Sequence, residues 1–210
     1  MKICAISDLH GLKIQIPNCD VLVFAGDISN SGNAKWFKEN FIPYLKENKH
    51  KYDICFVVFG NHDDKIQLAD SYFMHVPDYV KILTNTGYTY KGKKFFGSPF
   101  CKAAKEIIDT MNTFDELFLA KLFLAIPSDT DILITHNPPF GFGDTSTKDS
   151  KNLGSISLMG RVHIIKPQIH IFGHIHNGQK QSQSNGTTFY NVSVLNDDYK
   201  IVYKPTIINI

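Results

Sequence analysis

Four runs rich in Val, Ile, Leu and Phe constrain this chain more than any other feature. They lie at Lys2–Ser7, Val21–Ala25, Ile54–Phe59 and Ile132–Thr135. Runs this short fall below helix length, and without polar alternation neither of their faces suits water. They read as strands of sheets covered on both sides. Between them, Asn33–Asn48 has a helical pattern, as does Ser155–Ile165, which Pro167 ends. Thr113-Phe114-Asp115-Glu116 has the Thr-x-x-Glu form of a capping box, predicting a helix through Leu117–Ala125 closed by Pro127. From Tyr88 to Gly97, and again beyond Ile169, the pattern becomes strand, Gly-containing turn, strand, with Asn185-Gly186 a strong hairpin signal. The expectation is a mixed α/β layered fold with antiparallel strands toward the C-terminal end, formed as one domain over residues 1–210. Gly141–Gly154 is its longest loop candidate, and loops of that length tend to be functional.

The near balance of 22 basic and 20 acidic side chains, a formal charge of +2, lacks the field of a dedicated nucleic-acid binder. Nucleic acid is therefore expected only as a substrate. Arg161, the single arginine, reads either as a phosphate clamp or as a solvated or paired surface residue. No apolar run reaches the roughly 20 residues that span a bilayer. A strand pattern that begins at once after Met1 leaves no room for a signal peptide, which predicts a cytoplasmic protein. Cys4, Cys19, Cys55 and Cys101 are widely spaced with no Cys-x-x-Cys, the pattern of reduced thiols rather than disulfides or a Cys-based metal site.

The chemistry collects where the apolar runs stop. The runs lead into Asp8-Leu9-His10, Gly26-Asp27, Gly60-Asn61-His62-Asp63, His136-Asn137-Pro138-Pro139 and Gly173-His174-Ile175-His176. In open α/β sheets, sites form at the C-terminal ends of strands, so these blocks are expected around one point. Gly-Asp alone is common, but Gly-Asn-His-Asp arises by chance in only about one such chain per thousand. Two divalent cations about 3.5–4 Å apart need a bridging carboxylate with neutral imidazole and amide ligands, which leaves net positive charge for an anionic ester. A set rich in His and poor in carboxylate suits Mn²⁺, Fe, Zn²⁺ or Co²⁺ better than Mg²⁺ or Ca²⁺.

Taken in order over residues 8 to 176, these five blocks resemble the signature of the calcineurin-like metallophosphoesterases. The resemblance implies a four-layer α-β-β-α sandwich of two mixed sheets and two divalent metal ions. It implies that Asp8, His10 and His176 hold one ion, that Asn61, His136 and His174 hold the other, and that Asp27 bridges them. It further implies in-line attack of a metal-bridging hydroxide, with His62 as the general acid, Asp63 orienting the His62 imidazole, and Asn61 also contacting the phosphoryl group. The stretches His136–Gly141, Gly154–Leu158 and Phe172–His176 with Asn191-Val192-Ser193 are similar to a small metallophosphoesterase-domain subgroup that includes cyclic-nucleotide phosphodiesterases. That tilts the expected substrate toward small phosphodiesters.

Other candidates have plainer readings. His50 and His75 read as solvent-facing, His163 as a surface helix residue, and His170 as a core imidazole. Phe140 and Phe142, just after the His136 block, are candidates for stacking on a substrate base. The same five blocks also fit a protein Ser/Thr phosphatase or a nuclease. A non-catalytic scaffold is the third reading, disfavoured by the retained ligand types.

Overall fold

The computed structural model describes residues 1–67, 76–103, 112–147 and 150–210; His75 lies outside these. The strands are β1 (Lys2–Ile6), β2 (Val21–Ala25), β3 (Ile54–Val58), β4 (Val80–Ile82), β5 (Thr86–Tyr90), β6 (Lys93–Ser98) and β7 (Cys101–Lys102). They continue with β8 (Thr113–Phe114), β9 (Ile132–Thr135), β10 (Ile169–Phe172), β11 (Lys180–Ser184), β12 (Thr187–Asn191) and β13 (Thr206–Asn209). The α-helices are α1 (Ala34–Trp36), α2 (Ile42–Glu47), α3 (Asp64–Gln67), α4 (Glu116–Phe123) and α5 (Ile156–Ile165).

Two sheets carry the fold, in the orders β13-β1-β2-β3-β4 and β11-β12-β10-β9-β6-β5. Their inner strands run parallel, while β13, β11 and β5 pair antiparallel at the edges. Period-2 alternation then splits each strand between two cores. Ile3 and Ala5 of β1 meet Ile132, Ile134 and Ile171 of the second sheet. Cys4 and Ile6 of β1 face Phe37, Phe41 and Leu45 from the α1–α2 region. On the far side of the second sheet, Leu133 and Phe172 pack under Leu119, Phe123, Leu158 and Val162 of α4 and α5. The result is the expected order of helix, sheet, sheet, helix, and it explains why the inner strands are apolar on both faces.

Local chemistry shapes two elements differently from the sequence expectation. The 33–48 helix is broken by a π turn at Phe37–Phe41, in which Ile42 N–H reaches back to the Phe37 carbonyl. Pro43 lacks an N–H and its ring crowds the carbonyl four residues before it, so the ladder widens just ahead of the proline. The predicted capping box at Thr113 does not form, because Thr113–Phe114 is strand and Asp115 caps α4 by accepting from Phe118 N–H at 2.8 Å. Glu116 instead reaches across to the start of α5. Its carboxylate accepts from Ser155 Oγ, Ile156 N and Ser157 N at 2.9–3.1 Å, on the positive end of that helix. The hairpin signal is realised: Asn185 and Gly186 both take positive φ between β11 and β12.

Candidate metal centre

The parallel strands of both sheets end at the same edge of the sandwich, and the chain beyond them stitches the sheets together. Ser7 pairs with Ser193 just past β1 and β12, and His136 Nδ1, just past β9, lies 2.9 Å from the Ala25 carbonyl at the end of β2. The first residues beyond β1, β2, β3, β9 and β10 therefore converge. Asp8, His10, Asp27 and His174 all hold positive φ, between 45° and 71°, a strained conformation for non-glycine residues. Backbone bonds keep them there: Asp8 N–H to the Gly26 carbonyl at 3.0 Å, and His10 N–H to the Asp27 carbonyl at 2.9 Å. The His174 N–H shares itself between both Asp8 oxygens at 3.1 and 3.0 Å.

Packing this close needs glycine at two positions. A Cβ at Gly60 would sit 2.1 Å from Asp27 Oδ1, and one at Gly173 would sit 1.9 Å from Ser7 Oγ. Both are closer than atoms approach, so the sequence pairs of Gly with a ligand residue have a steric cause.

The donor atoms fall into overlapping groups. Those of Asp8, His10 and His176 lie within 4.8 Å of one another, as do those of Asp27, His136 and His174, and those of His10, Asp27 and His62. Asp8, His10, Asp27 and His136 are buried and His62, His174 and His176 partly so, yet His136 Nε2 and His10 Nδ1, and Oδ1 of the neighbouring Asn61, have no hydrogen-bond partner. The His136 ring is the clearest case. Its Nδ1 lies 2.9 Å from the Ala25 carbonyl, which can only accept, so Nδ1 carries the hydrogen and Nε2 presents its lone pair. Nε2 then faces Asp27 Oδ2 at 3.2 Å. Two lone pairs at that distance require a proton or a metal cation on Nε2. The His10 and His176 Nε2 atoms, 3.2 Å apart, make the same demand. The donor set therefore fits divalent cations of the type that favour imidazole.

Charges follow this crowding. Burial raises Asp8, but the His176 hydrogen bond and the His136 charge overcome it and hold the carboxyl below its usual range. Burial likewise opposes ionisation of Asp27, and His136 and His10 more than offset it. Burial lowers His174 to about 4, helped by the nearby His136 charge, so this imidazole is neutral and free to ligate. Burial also lowers His136, but Asp27 outweighs it and lifts the ring to about 9. A folded pKa above the unfolded value of about 6.5 stabilises the protein fully below that pH, and the contribution is lost as pH rises through about 9. Metal-free protein is thus expected to lose thermal stability between about pH 6.5 and 9.5, with a smaller loss when a cation replaces the proton. Melting curves of stripped and loaded protein at both pH values check this, and equal losses would refute it.

An open cleft of about 260 Å³ lies over these groups. His10, Asp27, Asn61, His62, His174 and His176 form its floor. The His62 ring packs edge-on to His10, with centroids 4.8 Å apart, and the His62 backbone N–H donates to Asp27 Oδ1 at 3.0 Å.

Three sequence expectations are corrected. Asp63 does not orient the His62 imidazole; it is fully buried and its carboxylate accepts from Ile28 N, Ser29 N, Ser29 Oγ and Gly60 N at 2.8–3.1 Å. It ties the His62 turn to the loop after β2. Burial, with the Asp27 charge, pushes it up to about 7 despite these donors. Arg161 is no phosphate clamp: it does not line the cleft, and its guanidinium donates to the Ile126 carbonyl beyond α4. Phe140 is half exposed outside the cleft lining, while Phe142, also outside it, stacks on Phe189 of the core at 4.2 Å. His170 is a core residue, its Nε2 2.9 Å from Thr135 Oγ1. His50 and His163 are exposed.

Sequence reading missed the cleft walls, Ser146, Thr147, Leu153, Asp197 and Tyr199. Three of them fall in the long loop at 141–154, whose composition was the only available signal.

The family model for calcineurin-like phosphoesterases matches residues 1–178. The chain belongs to that family. As a calcineurin-like phosphoesterase it is a metal-dependent hydrolase of phosphoric esters. The Caenorhabditis elegans UPF0046 protein K07C11.7 is 32% identical across 99% of this phosphoesterase and 74% of its own length. The human protein called Metallophosphoesterase domain-containing protein 1 is 29% identical across 100% of this chain and 71% of its own. Among solved structures, TT1561 of Thermus thermophilus superposes with a TM-score of 0.65, covering 93% of this chain and 89% of its own at 13% identity. Phosphopantetheinyl hydrolase (PptH) from Mycobacterium tuberculosis gives 0.57 over 94% and 90% at 14% identity. At such identities the likeness speaks to fold alone. Among the described residues, no helix is long and apolar enough to cross a membrane.

Proposed function

We propose that this phosphoesterase hydrolyses small phosphodiesters at a two-metal centre. Asp8, His10 and His176 would hold one ion and Asn61, His136 and His174 the other, with Asp27 shared. The observation that carries this reading is the bare His136 Nε2 facing Asp27 Oδ2 at 3.2 Å with Nδ1 already committed, an arrangement that suits a cation. When bound, the ions supply Lewis acidity, activating water for in-line attack at phosphorus and neutralising phosphoryl charge.

The chain's own residues do the rest. The Ala25 carbonyl fixes the His136 tautomer, and the His174 backbone N–H, donating to the Asp8 carboxylate, ties the loop after β10 to the loop after β1. His62, in the cleft beside His10, gives a proton to the leaving oxygen as its bond to phosphorus breaks. Water supplies the new oxygen, so a diester yields a monoester and an alcohol. The modest cleft volume favours a small ester over a protein or duplex substrate.

The test is chelator-stripped protein reloaded with Mn²⁺ and assayed on bis-p-nitrophenyl phosphate, with metal counted in the same samples. Activity is expected to vanish on stripping and return at about two metals per chain. Full activity after stripping, or loaded protein inert on every ester, would overturn the reading.

A further inference from the structure

The four large apolar side chains most exposed among the described residues stand together on the outer helix layer, away from the metal centre's cleft lining. Leu117 of α4 and Leu124, just past its end, are 74% and 67% exposed, and Ile156 and Ile164 of α5 are 61% and 71% exposed. Each pair recurs after two helical turns, so each forms a stripe on one helix face. The opposite faces, Leu119 and Phe123 on α4 and Leu158 and Val162 on α5, pack on the second sheet. Both helices are thus apolar front and back, the pattern of a helix covered on both sides. Clustered exposure of this kind marks an interaction surface, whereas scattered exposure does not.

The two helices run side by side in the same direction, since Glu116 at the start of α4 holds the start of α5 and Arg161 of α5 reaches the Ile126 carbonyl beyond α4. Leu117 therefore stands toward the Ile156 end of the face and Leu124 toward the Ile164 end. Midway along the α5 stripe lies Gly160, exposed, where an added Cβ would meet nothing within 4 Å. Glycine inside a helix is costly, and no contact within this chain asks for it there. Charge differs between the two ends. Asp115 and Glu116 stand at the start, where Glu116 pairs with Lys102 at 3.8 Å. Arg161 and Lys166 stand toward the other end, where Asp129 is neutralised by Lys94.

We infer that the α4–α5 face is covered by a second copy of this chain, about a two-fold axis that lies in the face, crosses the helices at right angles and passes Gly160. Turned this way, each helix lies antiparallel on its own copy. Ile156 meets Ile164 of the second copy, Leu117 meets Leu124, and the acidic start of one face lies over the basic end of the other. The spacing makes this possible: Ile156 and Ile164 stand four residues either side of Gly160, the self-complementarity that an isologous contact needs. Gly160 against Gly160 lets the two α5 helices approach closely. An axis along the helices would instead set Asp115 on Asp115 and Lys166 on Lys166. A lipid surface has no use for a recess in the middle of an apolar stripe. The ten residues of α5 rise about 15 Å and two packed helices are about 20 Å wide, so pairing buries an area at the low end of specific interfaces, about 1,200 Å² in total. The dimer is therefore concentration-dependent.

The experiment is sedimentation velocity on the full chain across roughly two decades of concentration around the micromolar range, with melting curves of each variant. The wild type is expected to pass from monomer to dimer mass. Gly160→Gln should raise the dissociation constant by at least about tenfold, because the side chain holds the two α5 helices apart. Its melting temperature, read on the dilute monomer, should hold or rise, because Gln favours helix over Gly. The double variant Ile156→Gln with Ile164→Gln should also stay monomeric. Lys121, near the middle of α4, comes close to Lys121 of the second copy across the axis, so Lys121→Gln is expected to tighten the dimer severalfold.

A wild type that stays monomeric throughout overturns the inference. So does a dimer that survives both Gly160→Gln and the double variant, since another face then makes it. A monomer that binds vesicles of phosphatidylcholine and phosphatidylserine, and loses them in the double variant, gives the face to a lipid surface and overturns the inference as well.

Discussion

Asp27→Ala is expected to abolish loading of both metals and to lower turnover of bis-p-nitrophenyl phosphate by at least about 10³-fold, the equivalent of several kcal/mol of transition-state stabilisation. Among the described residues Asp27 is the carboxylate that falls in both donor groups, with Oδ2 lying 3.6 Å from His10 Nε2 and 3.2 Å from His136 Nε2. Without it, Asp8 is left as the only carboxylate among imidazoles and an amide, too little negative charge for two dications. The change also removes the acceptor of His62 N–H. Asp27→Asn keeps the side-chain shape and separates loss of charge from loss of fold. Metal per chain and melting temperature are the measurements. A folded variant that still holds about two ions would remove Asp27 from the bridging role.

His62→Ala should leave metal loading intact and yet reduce hydrolysis of alkyl phosphodiesters by about 10²–10⁴-fold, the range general acids supply. Esters of p-nitrophenol should lose much less, because that leaving group departs without help. The contrast matters because the His62 ring also falls within 4.8 Å of the His10 and Asp27 donor atoms and is thereby within reach of a ligand role. A ligand would lose metal on removal and would affect good and poor leaving groups alike. Rates on paired aryl and alkyl esters, with metal content from the same preparations, separate the roles.

The floor of the site was legible because its residues follow strands directly. Asp8, Asp27, Asn61, His136 and His174 each come within a few residues of the end of a buried strand, so strand direction alone brings them to one edge. The glycines beside them stood in the motifs, but their steric cause is structural: a Cβ at Gly60 or Gly173 would strike Asp27 or Ser7. The walls were not. Tyr199 owes its place to an Asn196-capped turn and to contacts with His10, far away in sequence, and no local periodicity encodes that. Leu153 is likewise a loop residue whose partners are set by the Asp144 anchor.

Misreadings had a common origin. Arg161, Phe142 and Glu116 invite a reading from their neighbours in the chain, yet each side chain spends itself on a distant element: Arg161 on the Ile126 carbonyl, Phe142 on Phe189, and Glu116 on the start of α5. Asp63 follows the same rule, satisfying three donors from the loop after β2 and the Gly60 N–H of its own turn rather than the adjacent imidazole.

What the sequence by itself determined is the inventory and the frame: apolar runs that must be covered on both faces, and ligand-type residues placed where those runs stop. Both depend on short-range regularities, the shortness and continuous apolar character of the runs and the residue types that follow them directly. Only the tertiary structure decided which donor atoms face one another, which polar side chains are consumed in holding loops, and what lines the cleft. Those outcomes depend on packing between segments more than a hundred residues apart, where a side chain's direction follows from the whole arrangement of two stacked sheets and from no stretch of the chain alone.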